Sequence, residues 1–205
     1  MTHCSNCSRP WFVVVGIFLL GSLANAQLLY QDQEVQVQDL PSLMARTHDP
    51  SDVLLTSLDT VFHDREICCG RDSALEDSAQ KADPASLKDI AAKVGGRHLL
   101  SDGRPIAIRA TYLTPDNVST AQLVSMMQDH HAPLIVWNSH LYVVYGIAYR
   151  RTADGSNGGT INLYIHKLLL WDTRYSDSRR AVVFDRTTED PSKVQGLLFL
   201  VVETR

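Results

Sequence analysis

The strand signals of this chain crowd into its last third, and most of its helical signals precede them. Pro133–Trp137 is a short apolar run and His140–Arg150 a longer one. Ile161–Trp171, Ala181–Asp185 and Leu197–Glu203 complete the series, with the turn cluster Asp154-Gly155-Ser156-Asn157-Gly158-Gly159 between the second and third. Upstream, a helix is expected from Cys69 to about Ala82, stopped by Asp83-Pro84 because the residue before proline avoids the α region. Ser86 caps a second helix, with Leu87, Ile90, Ala91 and Val94 on one face and Gly95-Gly96 at its end. Pro105–Leu113 alternates like a strand. Ser119-Thr120-Ala121-Gln122 is a capping-box pattern opening a helix that ends near His130. This order predicts an α+β domain with N-terminal helices packed on an antiparallel sheet.

The domain is expected to span residues 53–205. Residues 1–26 read as a signal peptide: an apolar stretch from Trp11 to about Leu23, then Ala24-Asn25-Ala26, the small-x-small pattern that signal peptidase accepts. Cleavage would leave Gln27 as the first residue and no stable membrane span, and would place the protein outside the cytoplasm, secreted or periplasmic. Residues 27–52, polar and weakly patterned, read as an N-terminal arm with a short helix near Leu40–Arg46. The formal net charge of −4 over 205 residues offers no basic footprint for nucleic acid.

Export normally goes with cysteines paired at a distance, but only Cys68 and Cys69 remain beyond the signal. Adjacent Cα atoms stand about 3.8 Å apart, below the usual disulfide range. The pair is therefore a reactive site, a strained redox pair or buried packing. Cys69 at a helix start would feel the positive end of the dipole, which favours thiolate, while Asp72, Glu76 and Asp77 oppose it. His140 opens an apolar strand, where it can reach a cleft or simply bond a backbone carbonyl. Asp172 follows Leu168-Leu169-Leu170-Trp171, where it can orient an imidazole or begin the turn Asp172-Thr173-Arg174-Tyr175.

Taken in order, these residues resemble the papain-like cysteine peptidases, and most of all the bacteriocin-processing (C39-like) family. The matching segments are Cys69-Gly70 before a helix and the block Ala132-Pro133-Leu134-Ile135-Val136-Trp137 followed by His140 to Gly146. A strand ending Leu170-Trp171-Asp172 completes the set. The resemblance covers about residues 60–175. It implies a secreted thiol protease, a hydrolase acting on a peptide or protein substrate without metal or cofactor. Cys69 would be the nucleophile, His140 the base and Asp172 the residue that orients it. The family's glutamine before the cysteine is missing, and His63 stands in that neighbourhood as the oxyanion donor. Two other readings remain open: a non-catalytic papain-like binding or assembly module, and a Cys68/Cys69 redox pair.

Overall fold

A computed structural model describes residues 29–37, 52–62, 67, 72–114, 119–154, 160–175 and 181–204. Eight strands run β1 Leu29–Gln36, β2 Gly96–Leu99, β3 Pro105–Leu113, β4 Leu134–Trp137, β5 His140–Asp154, β6 Thr160–Trp171, β7 Ala181–Asp185 and β8 Val194–Thr204. Four helices, α1 Val53–Val61, α2 Ser73–Gln80, α3 Leu87–Val94 and α4 Thr120–Gln128, are interspersed among them. The strands form one sheet in the order β2-β3-β8-β4-β5-β6-β7, with every described pairing antiparallel. The α+β class expected from the order of periodicities is the class observed.

One edge of the long strand β5 is shared by two partners. β4 pairs with its first four residues, His140 to Val143, and β1 pairs with Gly146 to Ala153. The segment read as an arm outside the domain therefore supplies a strand of the sheet. Asp32 holds Arg150 across this pairing and Gln33 accepts a bond from the Tyr149 hydroxyl. The helix expected near Leu40–Arg46 and the residues 1–26 read as a signal peptide lie outside the described residues.

Alternation along the strands sends side chains to two covered faces. Ile108, Leu198, Leu200, Leu134 and Val143 share the face on which α3 packs through Leu87, Ile90 and Val94. Ile135, Leu197, Leu168 and Phe184 point to the opposite face, where Leu123 of α4 meets them. Strand β4 lies between the layers, and all four of its residues are buried. A strand covered on both faces has no polar side to show, which is why Leu134-Ile135-Val136-Trp137 reads as an unbroken apolar run.

Helix α3 has the expected bounds: the Ser86 hydroxyl accepts from the Asp89 N–H, and Gly95 closes the other end. Helix α2 starts later than expected. Its cap is Asp72, whose carboxylate accepts from the N–H groups of Ala74 and Leu75. An aspartate is a strong N-cap where a cysteine is not. Helix α1 had no amphipathic signature because Leu54, Leu55, Thr56, Ser57, Leu58 and Thr60 are all buried. Ser57 donates to the Val53 carbonyl and Thr60 to the Thr56 carbonyl on their own helix, and the Ser57 hydroxyl also bonds that of Thr173 at 3.1 Å.

The β4–β5 hairpin turns through Asn138 and Ser139, both with positive φ (52° and 61°). A two-residue loop of this kind matches the twist of the flanking strands and favours Asn then Gly. Ser139 occupies the glycine position. Ser139→Gly is expected to raise unfolding free energy by about 0.5–1 kcal/mol, and Ser139→Val to lower it by about 1 kcal/mol. Urea unfolding of the two variants checks both signs.

Candidate functional site

The hairpin brings the two candidates on the sheet to the same end. His140 is the first residue of β5, paired with Trp137 across the turn. Asp172 follows the last residue of β6, one step beyond the Val143–Trp171 pair. By register Asp172 stands beside Tyr142, two residues along from His140, a separation of about 7 Å along the strand.

Their side chains have other partners. His140 is exposed, and its Nδ1 lies 2.8 Å from the Asn138 carbonyl oxygen. A carbonyl only accepts, so Nδ1 carries the proton and donates it there. Asp172 is buried, its side chain only 2% exposed. Both of its oxygens are engaged by Arg174, from Nε at 2.8 Å and from Nη2 at 2.5 Å. The Arg174 N–H adds a third bond at 3.0 Å. The hydrogen bond to Asp172 is the main reason that the Arg174 guanidinium is held above its ordinary pKa.

Arg174 also sits over two aromatic rings, Tyr142 at 5.9 Å and Tyr175 at 5.6 Å. Tyr142 in turn packs its ring on Trp137 at 5.9 Å. Burial, then the Asp172 charge, pushes the Tyr142 hydroxyl above its ordinary pKa. Asp172, Arg174, Tyr142 and Trp137 thus form one packed unit that closes this end of the sheet. Asp172 here begins a turn and anchors a cation. It is not the partner of His140.

The helix that follows Cys69-Gly70 has its described start at the other end of the sheet. The Asp72 carboxylate accepts from the Ser101 N–H at 2.8 Å and from the Ser101 hydroxyl at 3.0 Å. Ser101 lies in the tight connection beyond the Leu99–Pro105 pair, where β2 turns into β3. From there to the His140 hairpin the sheet runs along β8 from Thr204, opposite Ile106, to Val194, opposite Trp137. Ten residues of strand cover about 33 Å. A triad would need the N-terminus of α2 aimed at the His140 end. Cys68, Cys69 and His63 themselves lie outside the described residues.

Burial alone would raise the Asp72 carboxyl. The two bonds from Ser101, with those from Leu75 and Ala74, outweigh it and hold the group below its usual range. In the sequence Asp72 stands as a charge beside a thiol; in the fold its carboxylate caps α2 and holds Ser101. Arg174 is the cation nearest to Asp172 in the sequence, two residues on within the turn Asp172-Thr173-Arg174-Tyr175, and that proximity is the signal for this pair.

Among the described residues no three His, Cys, Asp or Glu side chains gather as a metal site would require. No described helix is long and apolar enough to cross a membrane. No protein-family model, curated protein or solved structure matches the chain.

Proposed function

We propose that the chain is an exported, non-catalytic binding module rather than a thiol hydrolase. One observation carries this reading: Asp172 spends both carboxylate oxygens on Arg174 while His140 gives its Nδ1 proton to a backbone carbonyl. Among the described residues, an imidazole in that setting has no carboxylate to stabilise the cation that proton abstraction creates. The absent upstream glutamine favours the same reading. Kinship with the papain-like fold belongs to the proposal too. It is supported by three helices that follow β1 and precede the rest of an antiparallel sheet, and by the Pro133–Trp137 and His140–Gly146 block folding as a hairpin.

Iodoacetamide labelling tests it in a Cys68→Ala background. Cys69 is expected to react no faster than an ordinary thiol, and His140→Ala to change the rate by less than about twofold. Peptide and amide substrates are expected to show no turnover that Cys69→Ala removes. A rate that drops about tenfold or more with His140→Ala, together with such turnover, would restore the hydrolase. Labelling that appears only after reduction would favour the redox pair.

Export rests on Ala24-Asn25-Ala26 behind an apolar run. Intact-mass measurement of the protein from its native host is expected to give a chain beginning at Gln27. An uncleaved chain recovered from the cytoplasm would contradict it.

A further inference from the structure

On the α4 side of the sheet, Leu123, Ile135, Leu168, Phe184 and Val194 line a cavity of about 110 Å³. Arg186, which follows β7, lies at the same cavity. This arginine is exposed, and among the described residues its guanidinium makes one marginal contact, from Nη1 to the Ile165 carbonyl at 3.5 Å. Among the described residues no carboxylate pairs with it. An apolar hole with one uncompensated cation fits a ligand with the inverse pattern, an apolar tail ending in an anion.

We propose that this cavity binds a short aliphatic monocarboxylate, its chain among Leu123, Leu168 and Phe184 and its carboxylate on Arg186. The size follows from the volume. An apolar cavity of about 150 Å³ holds a benzene ring, so 110 Å³ holds roughly four carbon atoms. The anion follows from the guanidinium, whose fork matches a carboxylate. Trp137 stands edge-on to Phe184 at 5.2 Å, and among the described residues its buried indole N–H has no acceptor. The cavity shares no lining residue with the Asp172–Arg174 unit, so this proposal and the absence of catalysis can fail separately.

The test is methyl NMR on the purified full chain, following Ile135 and Leu168 during titration with propionate, butyrate, pentanoate, hexanoate and octanoate. Binding is expected to tighten about fourfold for each added methylene up to about pentanoate and then level off, reaching a Kd on the order of 1 mM. Hexanamide is expected to bind about tenfold more weakly than hexanoate. Arg186→Gln, an exposed change that leaves the fold intact, is expected to bring hexanoate down to the amide. Leu123→Phe, which fills the cavity, should abolish the chain-length dependence. Equal binding of hexanoate and hexanamide, indifference to Arg186→Gln, or no shift at Ile135 and Leu168 would overturn the proposal. N-acetyl-leucine separates a free acid from a peptide C-terminus: binding tighter than that of 4-methylpentanoate would make the peptide end the occupant and overturn the free acid.

Discussion

Arg174→Met is expected to lower the unfolding free energy by about 2–4 kcal/mol, because it leaves the Asp172 carboxylate buried with no cation. The lower part of that range is favoured by the partial exposure of the Arg174 side chain, 31% against 2% for Asp172. The loss should exceed that of the double variant Asp172→Asn/Arg174→Met, in which no charge is left alone. This asymmetry separates a buried ion pair from an ordinary surface contact, which contributes little in either arrangement. Urea unfolding of the three proteins measures it.

Asp72→Ala is expected to cost about 2–4 kcal/mol. The substitution removes an N-cap, by itself about 1 kcal/mol, and strips the charged acceptor from the Ser101 N–H and hydroxyl. Asp72→Asn should cost less, about 1–2 kcal/mol, since one oxygen can still cap α2 but its amide group cannot accept from Ser101. The pH dependence has a definite sign. The folded-state pKa of Asp72 is depressed. Its contribution is therefore complete above the ordinary aspartate value of about 3.9 and is lost as pH falls through the lower folded value. The gap between wild type and Asp72→Asn should be constant from pH 5 to pH 7 and shrink below about pH 4. A gap that grows on acidification would mean that the carboxyl is protonated in the folded protein.

Local chemistry made most of the fold legible. Ser86, Gly95 and the i, i+3, i+4, i+7 apolar set define α3 from cap to cap, and the observed helix has those bounds. The elements that escaped depend on distant partners. Strand β1, Leu-Tyr-Gln-Asp-Gln-Glu-Val-Gln, has no apolar alternation, and it is a strand because the lower half of β5 needs a neighbour more than a hundred residues away. Strand β2 is four residues long and is held by the β3 it turns into. Helix α1 is buried nearly all round and shows no polar stripe.

The candidate site divides in the same way. That His140 opens one strand and Asp172 closes its antiparallel neighbour followed from runs of apolar residues, and both lie at one end of the sheet. Which group each side chain bonds did not follow, because a carboxylate at a turn chooses among all nearby donors. Arg174 lies two residues away and brings three N–H groups in a fixed geometry, against one from an imidazole. The start of α2 turned on a similar competition: Asp72 caps better than Cys69, and its second oxygen reaches Ser101 at the far end of the sheet.

The partner of Asp172 can be measured directly with two double-mutant cycles read by urea unfolding, Asp172→Asn with Arg174→Met and Asp172→Asn with His140→Ala. The structure predicts a coupling of about 1.5–3 kcal/mol between Asp172 and Arg174 and less than about 0.5 kcal/mol between Asp172 and His140. A coupling to His140 as large as that to Arg174 would contradict it, and would return Asp172 to the role of orienting a catalytic imidazole.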